Sequence, residues 1–260
     1  MQTISFIGSG NLAWHLAPAL DNAGLTVKEI FSRNARHAEA LTERLYQAEV
    51  KATLDFSTSS SSIFIVAVND SSINEIAREI ILPEEAVLAH TSGSVPLADL
   101  KFAATPNIGV FYPLQTFTKS KKIDFKQIPI FIESANEDTE IALTTLAKAI
   151  SHQVKKITSE ERKALHIAAV FASNFTNHLL TLSKTIMQQN NLEYDWLRPL
   201  ILETINKSLQ LGPEAAQTGP AMRGDLEIME KHFDFLKDDP ATAEIYKIIS
   251  QHIIDHYQPD

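Results

Sequence analysis

The sequence predicts an α/β fold, a doubly wound and mostly parallel sheet, followed by an all-α carboxyl-terminal domain. Three observations predict it. Short apolar runs alternate with helical patterns through the first half, as βαβ units require. A glycine turn, Gly8-Ser9-Gly10, joins the first run to the first helical pattern. After residue 157 strand-like runs cease and helical periodicity continues to the end.

Strands are expected at Thr3–Ile7, Val27–Ser32, Ser62–Val68, Ala86–His90, Asn107–Tyr112, Pro129–Glu133 and, last and short, Val154–Ile157. Helices are expected at Leu12–Ala23, closed by Gly24, then at Arg36–Tyr46, Ser72–Ile81 and Asp138–Ser151. Thr158 and Glu161 have the spacing of a capping box and open a long helical stretch to about Gln189. Gly212-Pro213 and Gly219-Pro220 are the strong punctuation beyond it. Two domains are therefore expected, residues 1–157 and 158–260.

Composition narrows the function. With 23 basic and 32 acidic residues the formal charge is −9, which disfavours a nucleic-acid partner. The absence of cysteine excludes thiolate metal sites, iron–sulfur clusters, disulfides and a cysteine nucleophile. No apolar run approaches the ~18 residues of a membrane span, and no export signal is visible, so a cytoplasmic protein without a membrane partner is expected. The 9 histidines are scattered without a metal-ligand motif, and no metal site is expected.

Gly8-Ser9-Gly10-Asn11-Leu12-Ala13 stands between a strand and an amphipathic helix, the context of a dinucleotide fingerprint. There the first glycine allows the turn, the second lets backbone approach a diphosphate, and Ala13 lets helix and strand pack closely. About 20 residues on, an NAD site would carry an acid at the tip of the second strand. Here the tip reads Phe31-Ser32-Arg33-Asn34, with Glu29 inside the strand. A hydroxyl and a guanidinium suit a 2′-phosphate, so Ser32 and Arg33 predict NADP over NAD.

Ligands bind beyond the carboxyl ends of parallel strands, which nominates Asn69, Ser92 and Gly93 for cofactor or substrate contact. His90 ends its strand as a packing residue or, less simply, a general acid. The run from Gly109 to Phe117 is an edge strand with a buried connection, or a pocket wall to which Tyr112 and Gln115 lend polar groups. Lys119-Ser120-Lys121-Lys122 reads as a solvated loop or an attractor of anionic substrate. On an ideal helix Ser173 and Asn177 each fall within about 20° of His166, with Asn174 to one side. On the buried side of a central helix, polar groups must be bonded or line a cavity. His166 is thus a proton donor or a core histidine bonded to a carbonyl.

The amino-terminal half resembles the NADP-binding Rossmann domain of the superfamily of pyrroline-5-carboxylate reductase, ketopantoate reductase and 6-phosphogluconate dehydrogenase. Tyr112-Pro113-Leu114-Gln115-Thr116-Phe117, His166-x-Ala168-Ala169 through Ser173-Asn174, and Thr218 through Asp225 resemble a branch carrying a DUF2520 domain, often labelled F420-dependent NADP oxidoreductase-like. That branch typically carries histidine where this chain has Tyr112. The resemblance implies an NADP-dependent oxidoreductase with a small-molecule substrate. It also implies a helical, 6-phosphogluconate dehydrogenase C-terminal-like domain that forms a homodimer, with active sites near the cleft between domains. By the resemblance Arg223 and Asp225 sit by that cleft, and for a reductase the candidate roles are His166 donating a proton, Asn174 orienting substrate or carboxamide and Arg223 holding a substrate carboxylate, with Ser173 and Asp225 in the pocket. The alternatives are a regulatory or scaffolding protein that binds NADP without turnover, and reduction of the deazaflavin F420.

Overall fold

The computed structural model of the chain describes residues 2–257. One sheet holds eight strands: β1 (Thr3–Ile7), β2 (Thr26–Phe31), β3 (Glu49–Lys51), β4 (Ile63–Val66), β5 (Val87–His90), β6 (Ile108–Pro113), β7 (Ile130–Ser134) and β8 (Val154–Lys156). Their order is β3-β2-β1-β4-β5-β6-β7-β8. Every neighbouring pair is parallel except β6 and β7. The chain winds outward from β1 to β3, returns across β1 and continues from β4, so the order reverses between β1 and β4.

Side chains alternate across the sheet, giving one core on each face. Ile4, Phe6, Ile63 and Ile65 pack on one side with Leu16 and Leu20 of α1 (Asn11–Asn22), Leu41 of α2 (Ala35–Thr42) and Leu143 of α4 (Glu137–Lys148). Ile7, Phe64 and Val66 pack on the other with Ile73 and Ile76 of α3 (Ile73–Glu79).

The strands and helices expected from the sequence are present with shifted ends, and one strand escaped the sequence reading. β3 spans three residues, two of them charged, too few for a periodicity to register. α2 stops at Thr42 rather than Tyr46. The next residues turn to tertiary partners: the Arg44 guanidinium donates to the Trp14 carbonyl, and the Tyr46 amide donates to Asp21 at 2.8 Å. β6 is no edge strand, since it is buried throughout and sits between β5 and β7.

After β8 comes α5 (Ser159–Ala169), whose capping box is formed in full by Thr158 and Glu161. A π-helical turn, Val170–Phe175, joins it to α6 (Thr176–Gln189). The chain divides there into two compact units, one ending at Ser173 and the other starting at Asn174. The π turn widens the helical repeat, so the ideal-helix superposition of His166 with Ser173 and Asn177 does not hold. The expected buried polar face is corrected accordingly: Ser173, Asn174 and Asn177 are exposed, as are Phe171 and Phe175.

The second unit continues with α7 (Arg198–Leu211), α8 (Pro213–Ala216), α9 (Pro220–Arg223), α10 (Leu226–Phe235) and α11 (Pro240–Tyr257). Both Gly-Pro pairs punctuate as expected, with Gly212 and Gly219 at positive φ and each proline opening a short helix. From Asn174 onward the buried residues are Ala221, Thr242, Ala243 and Ser250 among those described. Trp196, Leu200, Leu209 and Leu211 are exposed, with Leu209 at 82%. No helix is long and apolar enough to cross a membrane among the described residues.

The seam between α4 and β6 is the tightest test of this packing. A Cβ on Gly109 would lie 2.4 Å from Leu143 Cδ1 and 3.1 Å from the Glu133 carbonyl oxygen. Gly109→Ala is expected to cost about 1–3 kcal/mol by overpacking, read as a lower urea midpoint at unchanged slope.

Candidate functional site

A cavity of about 820 Å³ opens where the strand order reverses, beyond the carboxyl ends of β1 and β4. That is where ligands bind in doubly wound sheets. Gly8, Ser9, Gly10, Asn11 and Leu12 line it, as do Ser32, Arg33, Asn69 and Ser92.

Each glycine of the turn has its own reason. Gly8 sits at φ +112°, and a Cβ there would lie 2.2 Å from the Ala67 carbonyl oxygen. Only glycine lets β1 end this close to the segment after β4. Its amide donates to the Phe31 carbonyl at 2.8 Å, which fastens the turn to the end of β2. Gly10 has an ordinary φ of −71°, and a Cβ on it would approach nothing nearer than 4.0 Å. Its backbone has no need of glycine; what a Cβ would occupy is space beside the cavity.

The first intrahelical bond of α1 runs from Trp14 to the Gly10 carbonyl at 2.9 Å. The amides of Asn11, Leu12 and Ala13 therefore lack intrahelical acceptors, and no side chain caps this end. Unpaired amides and the helix dipole favour an anion at that point.

At the end of β2 the charge is positive. Arg33 is exposed, borders the cavity and makes no ion pair or hydrogen bond among the described residues. Asn34 caps α2, accepting from the Arg36 amide at 3.1 Å. His37, in the first turn of α2, also borders the cavity. The sequence reading passed over His37, although its place in the helix following Arg33 was a usable signal. Glu29 is buried within β2 and already partnered. It accepts from Ser5 Oγ at 2.7 Å and from Ser59 Oγ, and pairs with Lys51 at 3.5 Å. The residues present fit a dinucleotide bearing a 2′-phosphate.

The loop after β5 forms the opposite wall. Ser92 is buried; its Oγ accepts from the amides of Ser94 and Val95 at 3.1 and 3.0 Å. Ser94 Oγ donates to Asp70 at 2.5 Å, tying this loop to the one after β4. Gly93 does not border the cavity; it touches a polar pair behind it. A Cβ there would lie 2.5 Å from His166 Nδ1 and 2.8 Å from the Tyr112 hydroxyl.

That pair joins Tyr112 of β6 and His166 of α5, hydroxyl to Nδ1 at 3.1 Å, rings edge to face. Burial raises the Tyr112 pKa above the ordinary phenol value, with Arg162 pulling it down and Asp70 pushing it up. The phenol therefore remains protonated at neutral pH. It donates to an unprotonated Nδ1 or accepts from a protonated one.

Arg162, one turn before His166, was not anticipated. It is 1% exposed and pairs with Glu133 of β7 at 2.9 Å. A second nitrogen donates to the Ser92 carbonyl at 3.1 Å. One guanidinium thus ties α5 to β7 and to the loop that lines the cavity. Nothing in a lone arginine on a helix signals this.

The other nominated residues have local roles. His90 is fully buried, and its Nδ1 accepts from the Ser92 amide at 3.1 Å. Gln115 is exposed and its side-chain oxygen accepts from the Thr116 amide at 2.8 Å. In the second unit Gly224, at φ +68°, ends α9, and Asp225 caps α10 by accepting from the Ile228 amide at 3.4 Å. Arg223 is the last residue of α9, and Asn174 lies on the exposed π turn. No group of three metal-binding side chains occurs among the described residues.

Comparison with known proteins adds the following. Residues 3–93 match the family model described as NADP oxidoreductase, coenzyme F420-dependent, and residues 128–253 match a domain of unknown function, DUF2520. A presumed NADP oxidoreductase of Bacteroides fragilis is 38% identical, with TM-score 0.89 over 98% of each chain. A Thermotoga maritima protein is 25% identical, with TM-score 0.72 over 98% of each. A reductive aminase of Aspergillus terreus, solved with NADPH and ethyl levulinate, is 14% identical with TM-score 0.72. It covers 97% of this chain and 92% of its own, a likeness of fold alone. No curated protein matches the chain.

His90 makes the packing behind the site pH-sensitive. Burial, helped by the Arg162 charge, lowers its pKa to about 3, against the opposing pulls of Asp70 and the Pro96 carbonyl. Unfolding restores an ordinary imidazole, which binds a proton that the folded state refuses between pH ~6.5 and ~3. Stability from this group is complete above pH ~6.5 and falls as the pH drops below it. Between pH 7 and 5.5 the loss is about 1 kcal/mol. His90→Asn, which keeps an acceptor for the Ser92 amide, is expected to shed that part of the acid sensitivity in urea titrations at the two pH values.

Proposed function

The chain belongs to the family that joins a domain described as NADP oxidoreductase, coenzyme F420-dependent, to a DUF2520 domain, and on that premise we propose an NADP(H)-dependent oxidoreductase acting on a small carbonyl or imine compound. One observation carries the reading: the cavity at the reversal of strand order joins a diphosphate cradle to an unpaired guanidinium. Gly8, Gly10 and the free amides of α1 would hold the diphosphate. Ser32 and Arg33 would hold the 2′-phosphate, and Asn69 and Ser92 the sugar or carboxamide. NADPH, when bound, supplies the hydride.

The chain's own task is to orient substrate, exclude water and deliver a proton. A carbonyl or imine that gains hydride leaves negative charge on oxygen or an unprotonated nitrogen. The Tyr112–His166 pair is the donor in this reading. The imidazole is the proton source and the phenol its hydrogen-bond partner, and the pair abuts Gly93, next to the cavity-lining Ser92. Asn174 and Arg223 are proposed as substrate-orienting groups and Gln115, Ser173 and Asp225 as further substrate contacts, and the division into a cofactor domain to residue 157 and a helical domain beyond it is part of the same proposal. The exposed apolar residues of the second unit support homodimerisation through it.

Two experiments test this. Arg33→Ser is expected to weaken NADPH binding about tenfold or more, through loss of charge-assisted bonds, and to leave NADH binding nearly unchanged. Equal affinity of the native chain for both cofactors would overturn the assignment. NADPH oxidation should be followed with a panel of keto acids, cyclic imines, aldehydes and F420. His166→Ala should lower kcat about 100-fold with unchanged NADPH affinity and remove the pH dependence owed to the donor. NADPH binding without turnover on any member would favour the regulatory or scaffolding reading instead.

A further inference from the structure

A second cavity, of about 430 Å³, lies on the outer face of α1. Its floor is His15, Pro18, Ala19 and Asn22, one stripe of the helix, and its rim is Arg44 and the loop Lys119–Ile123. Five basic side chains line it, His15, Arg44, Lys119, Lys121 and Lys122, and no acidic one does among the described residues. In a chain of net charge −9 such a concentration of positive charge calls for an explanation.

Three of the five are held in place: Lys119 Nζ lies 4.7 Å from the centre of the Trp14 ring, and His15 and Arg44 are bonded. His15 Nε2 donates to the Thr118 carbonyl at 3.0 Å, pinning the loop to α1. Phe117 reinforces the seam, its ring 6.1 Å from that of His15 and stacked on Phe125. Arg44 lies over the Trp14 ring and donates to the Trp14 carbonyl. Lys121 and Lys122 are exposed and form no ion pair among the described residues. A rigid floor and free ammonium groups suit an anion whose several oxygens can be shared among donors.

We propose that this cavity binds the phosphate group of a phosphorylated small molecule. The cavity is of a size for such a ligand. Four permanent cations and an imidazole exceed what a single carboxylate can use, whereas a phosphate monoester carries up to two charges and three terminal oxygens. Lys119 also lines the cofactor cavity. A phosphate here and a phosphate of the cofactor draw on the same ammonium group, so each weakens the other's binding by the same factor. The site stands whether or not the chain is an oxidoreductase; the coupling alone needs a nucleotide in the larger cavity.

The test is titration of the full chain with inorganic phosphate at constant ionic strength, followed by calorimetry, with and without saturating NADP. NADP blocks any phosphate binding in the larger cavity. Saturable binding is expected in its presence. It should weaken at least tenfold in Lys121→Ala/Lys122→Ala, a surface variant that leaves NADP affinity within twofold. NADP should weaken phosphate binding about fivefold in the native chain and not in Lys119→Ala. Binding that does not saturate in the NADP-bound chain, that chloride reproduces, or that persists in the double variant overturns the site. Undiminished coupling in Lys119→Ala overturns the shared lysine.

Discussion

The geometry of the first unit's candidate site depends on one buried charge. Arg162 is removed from water at a cost of several kcal/mol, and only a well-made partner set offsets that. It has one, in the Glu133 carboxylate and the Ser92 carbonyl. Because these partners belong to β7 and to the loop after β5, the guanidinium fixes α5 against both at once. His166, one turn on, is thereby brought to Tyr112 and against Gly93. The same charge acts on the chemistry around it, lowering the His90 pKa and opposing the burial that raises Tyr112. Truncating one partner of such a pair leaves the other charge stranded, which typically costs about 3–5 kcal/mol.

In the proposed assignment, cofactor preference rests on where two charges go. Glu29 and Arg33 both lie near the end of β2, and an acid there would favour a free 2′-hydroxyl. Glu29 is withdrawn into the sheet, where Ser5, Ser59 and Lys51 consume its acceptor capacity. Arg33 is left beside the cavity without a partner among the described residues. The opposite arrangement would repel a 2′-phosphate at the same point, so selectivity follows from burial of one side chain and exposure of the other.

The parts legible in the sequence were those governed by local rules. Gly8 announced its turn because no other residue takes its backbone geometry, and Thr158 and Glu161 announced a helix start because both halves of a capping box lie three residues apart. Asn69, Ser32 and Ser92 were located by the rule that ligands meet the ends of parallel strands. What failed lacked a local signature. The π turn at Val170–Phe175 contains neither glycine nor proline, so an ideal helical wheel carried its phase error into Ser173 and Asn177. Arg162 looks like any helix arginine until Glu133, 29 residues earlier, is seen beside it. The lysines after Thr118 read as a solvated loop until the fold lays them against α1.

Tyr112 gains its meaning from the same long-range packing. A phenol of raised pKa is a poor acid alone, because its anion is disfavoured in a buried setting. Bonded to an imidazole it need never ionise. A proton can leave the imidazole while the phenol keeps its own. Gly93 is what permits the contact, since any side chain there would collide with both members. Glycine at position 93 is thus required by the proton-holding pair rather than by the cavity that Ser92 lines, and the loop after β5 serves both with adjacent residues.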